Sequence, residues 1–277
     1  MVCKLIIIYT SYFFNKEDKE RMEKLKLIDC TRKRLDDMYI IMYAIKNELN
    51  MKKGDIIESV DVYTLIGLNK RGIRDLIGIY QDRPLNNRYW LDISENLKSR
   101  GLKTILFLTV DDNKNLKRTV KMTFPMITFI DSLTYIVPKF YKYTSEKSSK
   151  QVCSKINRLF KEPTINEYRK TFDDFKSIYN NIIHKKLIEK YLKNVEGYYK
   201  YSYNIRILLF KTYANFNIYD KIRLSFNNNE KYINDINEIY NVLGDIERFS
   251  GFTSFTKRQW TLILNDLMQL YPDIEFI

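Results

Sequence analysis

The stretch LKTILFLTVDDNKNLKRTVKMTFP, residues 102–125, decides how the chain is read. Its first half, Thr104–Val110, is an unbroken run of apolar and β-branched residues, the pattern of a strand buried on both faces. The run stops at Asp111 and Asp112, and NLKRTVKMTF after them reads as a helix. Two readings of these aspartates stand side by side. One is a carboxylate capping the following helix; the other is a metal ligand at the mouth of a buried strand.

Working upstream, LNNRYWLDISENLKSRG (85–101) places Leu85, Tyr89, Ile93 and Leu97 at i+4 spacing, with Gly101 closing a helix. Before Pro84 the period is different. RLDDMYIIMYAIK (34–46) is β-rich, and IIESVDVYTLIGLN (56–69) carries Val60, Val62, Thr64 and Ile66 in alternation. The turn NMKKGD leads from the first to the second, and NKRG connects the second to IRDLIGIYQ (73–81), which predicts an antiparallel hairpin of those two strands. Downstream, MITFIDSLTYI (126–136) reads as a fifth strand. Three strands, a helix, a strand, a helix and a strand make an α/β layer with a mixed sheet. From about residue 148 nearly everything reads as helix, and the Tyr-rich NVEGYYKYSYNIRILLF fits either a core stripe or a base-stacking surface.

Composition narrows the function classes. Lys and Arg number 47 against 34 Asp and Glu, a formal charge of +13, which favours a polyanionic partner: nucleic acid first, an anionic membrane surface second. His184 is the only histidine, which excludes polyhistidine metal sites, and it reads as a helix-face residue. Cys3, Cys30 and Cys153 form no C-x-x-C pair, so neither a disulfide framework nor a zinc ribbon is indicated and a reducing compartment is expected. KLIIIYTSYFF near the start is too short to cross a bilayer, and no segment reads as a signal peptide. There is no P-loop, no G-x-G-x-x-G and no nucleophile elbow.

Three stretches resemble the catalytic region of Mutator-type bacterial insertion-sequence transposases. LDDMYIIMYAIK with VDVYTLIGLNKRGIRDLIGIY looks like the family's first acid-bearing strand and its hairpin. RYWLDISENLKSRGLKTILFLTVDDNKNLKRTVKMTFP is similar to its W-L helix, strand, aspartate and closing F-P, and FTKRQWTLILNDLMQLYPD to its C-terminal helix. The resemblance implies a ribonuclease-H-like mixed sheet with helices, plus a mostly α-helical insertion and C-terminal part. It divides the chain into a remnant N-terminal helical segment (1–34), a ribonuclease-H-like core (35–147), a helical insertion (148–210) and C-terminal helices completing the core (211–277). The family's longer N-terminal DNA-binding region has no counterpart in the first 30 residues.

Carried over position by position, the resemblance puts the first two metal-binding aspartates on Asp36 and Asp111. Paired carboxylates would hold Mg²⁺ or Mn²⁺ for DNA cleavage and strand transfer. Asp37 and Asp112 are expected to point away or to cap the next helix. The family's third acid, a glutamate, falls on Phe216, with Asp220 one turn on as its substitute. An accessory C-x-x-H falls on Ser132 and Tyr135, and an arginine on Pro138. The implied partners are DNA, as terminal inverted repeats and target, and a second copy of the chain, with no membrane. The implied location is the cytoplasm or nucleoid in a bacterium and the nucleus in a eukaryote. Two functions stay open: an enzyme of DNA transposition, or a non-catalytic derivative that binds DNA or an intact transposase. The third possibility, an unrelated basic helical protein, requires the middle stretch to match by coincidence.

Overall fold

The computed structural model describes residues 33–82, 88–131, 158–159, 161–178, 193–210, 212–226, 232–248 and 255–276. Strands β1 (Met38–Lys53), β2 (Ile56–Asn69) and β3 (Arg74–Gln81) form an antiparallel meander, which contains the expected β2–β3 hairpin. Helix α1 (Tyr89–Ser99) carries the chain to β4 (Thr104–Val110), which lies parallel to β1. Helix α2 (Lys114–Thr123) then leads to β5 (Thr128–Asp131), parallel to β4. The resulting mixed sheet has the order β3-β2-β1-β4-β5. Long β1 is its centre, and Ile40, Ile41 and Ile45 on it are almost wholly buried.

Each face of this sheet carries its own apolar layer. On one, Trp90, Ile93 and Leu97 of α1 and Leu116 and Val120 of α2 pack over Tyr39, Met42, Ala44 and Tyr63. The period-four spacing in α1 put those residues on one stripe, which is why that helix lies flat on the sheet. On the other face lie α3 (Ile165–Ile178), a 3₁₀ turn (Lys193–Lys200), α4 (Tyr203–Leu209), α5 (Thr212–Phe226), α6 (Asn237–Arg248) and α7 (Lys257–Leu270). Tyr168, Leu208, Ile222, Leu243 and Ile263 from these helices share a core with Ile45, Leu49 and Phe107.

Tyr198, Tyr199 and Tyr201 of the Tyr-rich stretch belong to that core, while Tyr203 is exposed. Tyr201 meets Phe107 edge-on, Tyr198 packs on Phe210, and Tyr199 covers the Arg206 guanidinium at 4.0 Å. These rings are committed to packing rather than offered to bases. Among the described residues no helix is long and apolar enough to cross a membrane. The readings of residues 1–32, His184, Ser132, Tyr135 and Pro138 fall outside the described residues.

Candidate functional site

Asp111 follows the last residue of β4, and its carboxylate is buried under three donors. The Tyr63 hydroxyl lies 2.9 and 3.0 Å from its two oxygens. The Lys46 ammonium is 3.6 Å from Oδ2, and the Asn113 amide donates to Oδ1 at 3.3 Å. Burial pushes the Tyr63 hydroxyl far above the ordinary tyrosine range, and the negative charge of Asp111 adds to this, so Tyr63 stays a donor.

Neighbouring carboxylates are tied into the same network. Lys46 also pairs with Asp61 at 2.5 Å. Asn113 donates through Nδ2 to Asp82 at 3.0 Å and to the Tyr63 hydroxyl at 3.3 Å, while the Trp90 indole donates to Asp82 at 2.8 Å. The helix cap is Asn113, whose Oδ1 accepts from the Leu116 amide at 2.9 Å. Neither Asp111 nor Asp112 fills that position; Asp111 instead holds the turn before it, and Asp112 is exposed.

Asp36 lies elsewhere. Tyr43 of β1 stands opposite Thr109 of β4; Asp36 is seven residues before the one and Asp111 two residues after the other. At the ordinary rise of a strand the nine residues between them correspond to roughly 30 Å. Two ions about 4 Å apart cannot be shared across that distance. The two acid-bearing strands are neighbours as expected, but the two aspartates are not brought together. The reason is that β1 and β4 run parallel, so an acid before the start of one and an acid after the end of the other mark opposite ends. Asp36 accepts from Asn69 Nδ2 at 2.5 Å and has the Arg71 guanidinium at 3.9 Å. Asp37 pairs with Lys70 at 3.6 Å.

The helix that spans the expected third-acid position packs on the sheet face opposite Asp111. Helix α5, which carries Phe216 and Asp220, reaches β1 where Asn47 Nδ2 donates to the Tyr219 carbonyl at 3.0 Å. Lys46 and Asn47 are consecutive, so their side chains leave opposite faces of β1. Asp111 lies with Lys46 and Tyr63 on one face, and α5 packs on the other. The side chains of Phe216 and Asp220 themselves lie outside the described residues. Among the described residues no group of three or more His, Cys, Asp or Glu side chains is placed to hold a metal ion. Asp36 and Asp111 therefore do not fit a shared Mg²⁺ or Mn²⁺ site.

The family model described as "Transposase, Mutator family" matches residues 19–237, well over half of the chain. The chain belongs to the Mutator family of transposases. It is 19% identical over 145 residues to a probable transposase for an insertion sequence element of Corynebacterium diphtheriae, covering 52% of this chain and 42% of that one. It is 18% identical over 183 residues to a probable transposase of an ISRM3-like element of Sinorhizobium fredii, covering 65% and 46%. A transposase for the element IS1201 of Lactobacillus helveticus is 20% identical over 138 residues, covering 50% and 34%. The chain thus spans less than half the length of these curated relatives.

Exposed positive charge is spread over this Mutator-family chain, and two groupings of it lie at opposite ends of the sheet. On α2, Lys114, Arg118 and Lys121 are exposed at i, i+4 and i+7, one face of the helix. At the other end of the sheet, Lys33, Arg34, Arg71, Lys257 and Arg258 are exposed around the start of β1 and the β2–β3 turn. Of the groups that hold Asp111, the sequence had pointed to none. Lys46 is the residue at which the apolar run MYIIMYAI ends, which gives it no distinguishing signal.

Proposed function

We propose that this chain takes part in DNA transposition by holding DNA, as a member of its family that does not cut through an Asp36–Asp111 metal pair. One observation carries the reading: the Asp111 carboxylate is occupied by Lys46 and Tyr63, with Asp36 at the far end of the neighbouring strand. An ammonium between Asp111 and Asp61 supplies positive charge where a dication would have to compete. The five-stranded mixed sheet with helices on both faces supports a ribonuclease-H-like core. The +13 charge and the cationic face of α2 support a duplex partner bound through its phosphates.

The test joins two measurements on the whole chain. Duplex binding, followed by fluorescence anisotropy, should weaken steeply with salt because affinity comes from counterion release. Replacing Lys114, Arg118 and Lys121 by glutamine should lower the salt slope by about 2 to 3, near one unit per lost phosphate contact. The same duplexes incubated with Mg²⁺ or Mn²⁺ should stay intact. Metal-dependent cleavage that Asp111→Ala abolishes would overturn the non-cutting reading, and salt-insensitive binding would overturn the duplex reading.

A further inference from the structure

We propose that the cavity beside Asp36 is a binding site for a single unstacked nucleobase of the bound DNA, with guanine as its best occupant. The inference rests on the duplex-holding reading and adds a site to it. The cavity measures about 440 Å³ and is walled by Trp260, Leu264 and Phe276, with Asp36, Lys70 and Arg71 beside them. That volume suits a small-molecule-sized group and excludes a duplex.

The arrangement of chemistry matches one nucleotide. Apolar and aromatic walls take the faces of a flat base, as in proteins that bind unstacked bases. The Trp260 indole donates to the Lys70 carbonyl at 2.8 Å, which fixes its ring against the β2–β3 turn. Gly72 in that turn allows the approach, since a Cβ there would come within 2.7 Å of the ring. Among the described residues Asp36 supplies the only carboxylate in the lining. Its two side-chain contacts among the described residues, from Asn69 and Arg71, both reach Oδ2, and 39% of its side chain is exposed there to meet a further donor.

A carboxylate accepts best from two adjacent N–H groups, and guanine presents such a pair on its Watson–Crick edge, whereas thymine presents one. The Arg71 side chain is 71% exposed beside this acceptor and is placed to reach the phosphate that accompanies the base. A basic peptide is disfavoured by Lys70 and Arg71, and an acidic one by Asp36.

The experiment uses four hairpin duplexes: fully paired, or with one bulged guanine, thymine or abasic residue. The wild-type chain should bind the guanine bulge about tenfold more tightly than the abasic one, the scale of one base on an aromatic platform, with thymine between them. Asp36→Asn should bind guanine and thymine bulges alike. Leu264→Trp fills the cavity and should bind every bulge like the paired duplex, with paired-duplex affinity unchanged and circular dichroism confirming the fold. Paired and guanine-bulged duplexes bound equally by wild type would overturn this site alone. So would a guanine advantage that survives Leu264→Trp. Failure to bind any of the four would overturn the duplex-holding reading and the site with it.

Discussion

Lys46 Nζ lies 3.6 Å from Asp111 Oδ2 and 2.5 Å from Asp61 Oδ2, so one ammonium serves carboxylates from β2 and from the end of β4. The Asp111 side chain is only 5% exposed, whereas Lys46 keeps 23%. Removing the ammonium leaves a carboxylate in a site with little water to replace it. Lys46→Met should cost about 2 kcal/mol, below the full penalty of a completely buried pair because Lys46 is partly solvated. Adding Asp111→Asn to that variant should recover more than half of the loss, since the stranded charge is gone. Urea unfolding of the two single variants and the double variant gives the coupling directly. Additive losses would mean that the two groups do not interact.

How far this was legible beforehand can be told from particular residues. The β2–β3 hairpin was, because alternation from Val60 to Ile66 and the turn around Gly72 are local signals. The strand at Thr104–Val110 and the helices beside it were legible for the same reason. The pairing of Asp36 with Asp111 was not, because it depends on whether β1 and β4 run parallel and in which register. No residue in either strand encodes that. The helix cap was expected at one of the aspartates, whereas the backbone places Asn113 there, three residues before the amide it accepts from. The cavity joins Asp36 to Trp260 across most of the chain, beyond the reach of any local pattern.

Gly72 offers a test of how the β2–β3 turn meets α7. Its φ is +74°, a conformation that residues with a Cβ adopt at a cost, and that Cβ would sit 2.7 Å from the Trp260 ring. Gly72→Ala should destabilise the protein by about 2 kcal/mol, half from backbone strain and half from displacing the indole. Trp260 should report it, with emission shifted to the red as its bond to the Lys70 carbonyl loosens. A variant as stable as wild type with unchanged emission would mean that the turn and the helix do not press on each other.

Alkaline pH should weaken the fold through its buried tyrosines. Tyr198 is pushed up to about 12, chiefly by burial, although its hydroxyl accepts from the Asp131 amide, which opposes the shift. Its unfolded value is near 10. A neutral acid whose folded pKa is raised contributes stability that is complete below about pH 10 and declines as pH rises toward 12, because the unfolded chain loses its proton first. Tyr39, Tyr43 and Tyr168 are raised further by burial and add to the same decline. The urea midpoint should therefore fall above pH 10, and less steeply in Tyr198→Phe. A flat midpoint from pH 8 to 11.5 would show that these hydroxyls are solvated.

Asn113 tests the carboxylate network at its most crowded point. Its side chain donates to Asp82 at 3.0 Å, caps the Leu116 amide at 2.9 Å, and its own amide reaches Asp111. Asn113→Asp keeps an oxygen for the cap and changes little in shape, but replaces the donated bond to Asp82 with repulsion between like charges. The loss at pH 7 should be about 2 kcal/mol, the scale of a charged hydrogen bond turned into an unpaired buried charge. The new carboxyl should titrate above the ordinary carboxylate range in the folded protein. Its penalty is then full above that raised value and shrinks as pH falls below it, so the variant should approach wild type between pH 7 and pH 5. Asn113→Ala, which loses both bonds but adds no charge, should be destabilised by a similar amount at both pH values. If the two variants show the same pH dependence, the Asp82 and Asp111 charges are screened from this position, and the network does not act as one unit.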